Sequence, residues 1–313
     1  MLTDVGLLLL GGVLLYFGAE WLVRGAAGLA RVFGISPLVV GLTVVSYGTS
    51  APELAVSLVA ALDGKSAIAL GNVLGSNIAN IGLILGLTAL ISPPRVDASL
   101  ARRELPVLVL ATAAVPVCLI GGVIQRFEGV LLTAGAIGFT LVTLRWSRGE
   151  PTGQVEDEPA EQGSRLGLAA FAAVGLITLL AGGKVLVDGA VGLALAFGMT
   201  ERVVGLTVVA IGTSLPELAA SLVAALRGHS ELAVGNVVGS NIFNVLLILG
   251  VTSTVSPIVG SLSESLVDLL VMGALTTMCV LSLRRQRTVG RTEGAVYTAG
   301  YAAFLAALAL GLG

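Results

Sequence analysis

Two glutamates, Glu53 and Glu217, sit in near-identical hexapeptides, GTSAPE at 48–53 and GTSLPE at 212–217. A threonine, a serine and a proline precede each: Thr49, Ser50 and Pro52 in one copy, Thr213, Ser214 and Pro216 in the other. A second paired stretch follows each, GNVLGSNIAN at 71–80 and GNVVGSNIFN at 235–244. It adds Ser76 with Asn80, and Ser240 with Asn244. The members of each pair are about one helical turn apart, so they share a face. Asn77 and Asn241 lie one step round and are expected to bond backbone instead. The donors are all oxygen: carboxylate, amide and hydroxyl. Hard cations such as Na⁺ and Ca²⁺ take such a set, whereas Zn²⁺ and copper call for nitrogen or sulfur. Two carboxylates balance one Ca²⁺ or two Na⁺, so a single cavity can hold the two ions in competition, and competition couples their movements.

Both hexapeptides lie inside long apolar runs. An ionised carboxylate at the centre of a membrane helix costs roughly 2.5 kcal/mol or more. The prolines add to this. Pro52 and Pro216 have no N–H, so the carbonyls four residues back, Gly48 and Gly212, are expected to be freed. A free carbonyl in hydrocarbon costs several kcal/mol, so such a break must face protein or an ion. The plainer reading is a helix cap, because Ser50-Ala-Pro-Glu53 also fits a capping box with proline in the first turn. The two readings are compatible, since a broken helix must restart. Gly71 with Gly75, and Gly235 with Gly239, have the spacing of close helix packing in lipid. Glu20 with Arg24, and Lys184 with Asp188, are spaced for salt bridges or snorkelling rather than ion ligation.

The elements that must position these groups are membrane helices. Of 313 residues, 56% are hydrophobic and only 12% charged, too little charge for the surface of a soluble domain of this size. The apolar runs are continuous rather than alternating, which argues against a β-barrel. The expected fold is an all-α membrane protein with ten transmembrane helices, near 4–30, 36–62, 66–91, 104–123, 127–146, 166–195, 201–226, 230–256, 264–284 and 293–312. No cleavable signal peptide is expected, because the first apolar run is too long and lacks a basic start. Cys118 and Cys279 fall in apolar segments and read as packing residues. His229 reads as a solvated loop residue. Nothing points to a cofactor, a nucleic acid or an obligatory protein partner.

The chain repeats itself at a constant offset of 164: GLTVVSYGTSAPELAVSLVAAL at 41–62 aligns without gaps on GLTVVAIGTSLPELAASLVAAL at 205–226. The repeat unit is five helices, residues 1–146 and 165–313, joined by an acidic linker at 147–164. An odd count places the second copy upside down, so the halves are expected to be inverted repeats, as in many secondary transporters. With the N-terminus outside, twelve basic residues fall on inside loops, including Arg95, Arg102, Arg103, Arg145 and the run Arg284 to Arg291. Only Lys65, Arg126 and Arg202 fall outside. The positive-inside rule therefore places both termini outside and the linker in the cytoplasm, in a multi-pass protein of the cell membrane.

These paired motifs resemble the two α-repeats of the cation/Ca²⁺ exchanger superfamily, in its Na⁺/Ca²⁺ exchanger branch. The resemblance implies an electrogenic antiporter that works by alternating access and takes several Na⁺ in for each Ca²⁺ out. It implies ion ligands at Thr49, Ser50, Glu53, Ser76 and Asn80, and at Thr213, Ser214, Glu217, Ser240 and Asn244. It further implies Na⁺ ligation by the backbone carbonyls of Ser46 and Ala210. Proton-coupled members tend to carry a glutamate soon after the Gly-Asn; Gly-Ser-Asn here favours Na⁺. One position departs: prokaryotic relatives carry aspartate where Asn244 stands, and asparagine keeps the oxygen but removes a titratable group. H⁺- or K⁺-coupled exchange, and a passive cation channel, stay open as alternatives. The partners are then Na⁺, Ca²⁺ and the lipid bilayer.

Overall fold

A computed structural model describes residues 1–96, 98–147, 164–198 and 210–309. The helices in chain order are α1 (Leu2–Phe33), α2 (Pro37–Thr49), α3 (Ala51–Leu62), α4 (Ser66–Ile91), α5 (Ala98–Cys118), α6 (Arg126–Ser147), α7 (Arg165–Ala196), α8 (Ala210–Thr213), α9 (Leu215–Leu226), α10 (Ser230–Val255), α11 (Leu266–Gln286) and α12 (Arg291–Ala309). Among the described residues, six are long and apolar enough to cross a membrane: α1, α4, α6, α7, α10 and α11. A seventh is added if α2 and α3, bent by 44° at their junction, form one span. Residues 201–209, which begin the expected seventh span, lie outside the described residues.

The side-chain distribution is the reverse of a soluble protein's. Leu9, Leu110, Leu131, Ile177 and Leu270 stand exposed, while Glu53, Asn80, Glu217 and Asn244 are buried. That arrangement suits lipid outside and polar groups satisfied within. Helices α4 and α10 are the most enclosed of the spanning set, and each carries a π-helical turn at the same repeat position, Asn80–Leu85 and Asn244–Leu249.

Contacts between the halves come in repeat-related pairs. Ser92 Oγ donates to the Ala225 carbonyl at 3.1 Å, and Ser256 Oγ to the Ala61 carbonyl at 3.2 Å. A two-residue antiparallel pairing joins β1 (Val123–Ile124) to β2 (Ile258–Val259). Its near counterpart is the bridge between Arg95 and Thr288.

The fourth helix corrects the sequence reading. It runs over Ala98–Cys118, six residues earlier at its start than expected, and takes Arg102 and Arg103 into its first turns. It stops before Gly121-Gly122, where Gly122 adopts φ 73°, a conformation that favours glycine. The expected C-terminal end at 123 is instead the start of β1.

Helices α1 and α7 pack antiparallel along their lengths through glycines at seven-residue intervals. Gly11, Gly18 and Gly25 meet Leu186, Leu179 and Ala172, while Gly175, Gly182 and Gly189 meet the backbone of α1. A Cβ at Gly18 would collide with the Leu179 backbone nitrogen. Gly18→Val is therefore expected to cost about 1–3 kcal/mol by overpacking, seen as a lower melting temperature in detergent. Gly12→Val, where no atom of the described residues lies within 4 Å, is the control that should leave it unchanged.

Candidate ion-binding site

Ser50 and Ser214 occupy the two helix breaks, with φ/ψ of −82°/7° and −89°/3°. Pro52 and Pro216 follow in the first turn of α3 and α9, where a missing N–H costs no helical bond. Glu53 and Glu217 share those first turns. The positive end of the helix dipole favours a carboxylate there. The carbonyl of Gly48, expected to be free, is not: N–H groups at the end of α2 reach back to the Gly48 and Ser46 carbonyls. Such bonds tighten a last turn when the next residues cannot continue it. The Ser46 carbonyl, which accepts from Ser50 N–H at 3.0 Å, keeps its second lone pair. Its counterpart Ala210 opens the short helix α8; there the Ser214 N–H donates to Ile211 at 3.1 Å.

The fold brings the two halves' motifs together. Glu53 and Glu217 are each 2% exposed and lie within electrostatic reach of one another. Ser50 Oγ donates to Glu217 Oε1 at 3.0 Å and lies 3.2 Å from Ser240 Oγ, so one break reaches directly into the opposite half. Ser214 faces Glu53 in the repeat-related position. Asn80 Nδ2 donates to Asn241 Oδ1 at 2.9 Å across the same interface. Asn77 and Asn241 bond backbone as expected, donating to Val73 at 2.8 Å and to Asn77 at 3.4 Å. Ser46 Oγ contacts the carbonyls of Gly41 and Asn236, at 2.6 and 3.0 Å. Thr49 Oγ1 lies 3.3 Å from Asn236 Oδ1. Ser76 and Thr49 are buried, whereas Thr213 is only half-buried.

Among the described residues, five oxygens of this cluster are buried with no hydrogen-bond partner: Glu53 Oε2, Glu217 Oε2, Asn80 Oδ1, Asn244 Oδ1 and Ser214 Oγ. Four of them form two repeat-related pairs. Each such atom costs about 1–3 kcal/mol when left unsatisfied. A hard cation satisfies several oxygen acceptors at once.

Two supporting residues escaped the sequence reading. Asn72 Nδ2 donates to the Glu53 carbonyl at 3.0 Å and to Ser57 Oγ at 2.8 Å. Asn236 repeats this with the Glu217 carbonyl at 3.4 Å and Ser221 Oγ at 2.9 Å. These asparagines pin α4 to α3 and α10 to α9 directly behind the carboxylates. The signal for them was the duplication itself, an asparagine after Gly71 and again after Gly235. Gly235 and Gly239 do pack tightly, on the backbone of α2. Among the described residues nothing comes within 4 Å of a Cβ at Gly71 or Gly75; the repeat counterpart of the α2 residues that meet Gly235 falls in 201–209, outside the described residues. Glu20 and Arg24 form the expected salt bridge at 2.9 Å, whereas Lys184 and Asp188 stand exposed and form no salt bridge among the described residues.

A profile of the family described as sodium/calcium exchanger protein matches residues 3–145 and again 167–310. The chain belongs to the sodium/calcium exchanger family. It is 38% identical to the inner membrane protein YrbG of Escherichia coli, over 98% of this chain and 97% of that one. It is 30% identical to the sodium/calcium exchanger MaX1 of Methanosarcina acetivorans, over 96% and 97%. Among solved structures it resembles the sodium-calcium exchanger NCX_Mj soaked with 10 mM Na⁺ and zero Ca²⁺, with TM-score 0.84 and 35% identity over 97% of this chain and 98% of that chain.

Proposed function

We propose that the chain is a secondary active antiporter that exchanges Na⁺ for Ca²⁺ across the cell membrane by alternating access, electrogenically. In this reading it has ten spans in two inverted halves, 1–146 and 165–313, with both termini outside and the linker 147–164 in the cytoplasm. Glu53 and Glu217 supply the charge. Thr49, Ser50, Ser76 and Asn80, with Thr213, Ser214, Ser240 and Asn244, supply neutral oxygens, and the carbonyls of Ser46 and Ala210 complete the Na⁺ sites. The observation that carries the reading is the buried, two-fold set of oxygens on Glu53, Glu217, Asn80 and Asn244 that have no partner among the described residues. All donors are hard, which favours Na⁺ and Ca²⁺ over softer metals. An empty site leaves two carboxylates facing each other in low dielectric and resists closure; a filled site does not. Helices α1 and α7, locked together by their glycines, then slide over the core formed by α2–α4 and α8–α10.

The test is ⁴⁵Ca²⁺ uptake into proteoliposomes under Na⁺, K⁺ and pH gradients imposed one at a time. Only the outward Na⁺ gradient should drive uptake. Uptake driven by H⁺ or K⁺ instead would reassign the counter-ion, and Ca²⁺ flux with no opposing ion would identify a channel.

A further inference from the structure

We propose that Glu20 with Arg227, and Lys184 with Asp63, are two charge-inverted latches that close alternately, each holding one of the paired helices α1 and α7 against the far half. The proposal rests on the alternating-access reading. At the repeat offset of 164, Glu20 corresponds to Lys184, Arg24 to Asp188 and Asp63 to Arg227, so every sign is reversed.

The first latch is closed. Arg227 Nη2 lies 2.8 Å from Glu20 Oε1, and Arg227 Nε donates to Glu20 Oε2 at 2.9 Å. Glu20 is only 6% exposed, so its charge depends on Arg227 and on Arg24. The second latch is open. Lys184 and Asp188 are exposed and form no ion pair among the described residues, and Asp63 meets Lys65 at the surface, at 3.2 Å.

Packing follows the charges. Helix α1 lies along α9 and covers Ala220 and Val223, the latter 7% exposed. Helix α7 makes no comparable contact with α3, and Val59, the repeat counterpart of Val223, is 59% exposed. A groove beside α3, lined by Val56, Val59, Asp63, Lys65 and Ile68, waits on that side. The repeat image of the present α1 contact would fill it with α7 and bring Lys184 to Asp63. Because α1 and α7 interdigitate through glycine, they move as one body, and closing one latch opens the other. The sign inversion keeps the stations distinct: Glu20 finds no cation partner in Asp63, and Lys184 is repelled by Arg227.

The test uses the full chain in proteoliposomes, with Cys118→Ser and Cys279→Ala as background. A single reporter, Val59→Cys or Val223→Cys, is labelled by a permeant maleimide. Glu20→Gln should slow labelling at Val59→Cys by about fivefold and speed it at Val223→Cys by a similar factor, the shift expected of one half-exposed ion pair. Adding Lys184→Gln should reverse that shift, and the swap Glu20→Arg with Arg227→Glu should restore the original rates. Unchanged rates, or rates that rise at both reporters as in simple loosening, would overturn the latch. Parallel ⁴⁵Ca²⁺ uptake separates the two ideas. Opposed labelling shifts without Na⁺-driven uptake would sink the transport reading and leave the latch standing; uptake with unmoved labelling would do the reverse.

Discussion

Glu53→Gln and Glu217→Gln should each abolish Na⁺-driven ⁴⁵Ca²⁺ uptake while leaving a folded, monodisperse protein. Glutamine keeps the shape and one carbonyl oxygen, so the bond from Ser50 Oγ to the position of Glu217 Oε1, 3.0 Å long, survives. What is lost is one of the two buried charges that the proposed site sets against a divalent cation. Leaving a buried charge without its partner costs about 3–5 kcal/mol, which is roughly a hundredfold or more in occupancy. The structural cost is small or favourable, because the substitution removes the repulsion between two carboxylates 2% exposed and facing one another. Exchange retained by both variants would refute ligation by these side chains.

The second large effect is expected at Asn80 and Asn244. Each opens a π-helical turn, and each holds in the cluster an Oδ1 with no partner among the described residues. Asn80→Leu and Asn244→Leu should each reduce ⁴⁵Ca²⁺ uptake by about tenfold or more, in line with 1–3 kcal/mol for a lost buried polar contact. The Asn80 variant should also lower the melting temperature, because it strands Asn241 Oδ1, now held at 2.9 Å. The Asn244 variant has no such bond in the described contacts and should affect uptake more than stability. Equal uptake by wild type and both variants would remove the asparagines from the site.

Much of this site was legible because the sequence states it twice. Glu53 and Glu217, with the serines and asparagines around them, announce themselves as oxygen donors in apolar runs, where a polar side chain without a role is costly. The kink at Ser50 followed from Pro52, whose missing N–H acts within one turn. Less legible were features set by how one turn or helix meets the next. The carbonyl of Gly48 was expected to be free, yet neighbouring N–H groups turn back to it. The brackets formed by Asn72 and Asn236 needed α4 and α10 in place before Ser57 and Ser221 could answer them. The sequence starts α5 six residues late because Arg102 and Arg103 read as loop charges, although a helix end at a membrane surface holds arginine readily.

Residue order alone settled the class of molecule, its duplication and the hardness of its donor atoms, since these follow from side-chain type, spacing and hydropathy, which act locally. The three-dimensional arrangement decided the asymmetry. The α1 helix is closed over α9, with Arg227 clasping Glu20, while α7 leaves Val59 and Asp63 uncovered. Two nearly identical copies of a motif carry nearly identical local preferences, so the choice of which side closes falls to long-range packing and charge pairing between the halves.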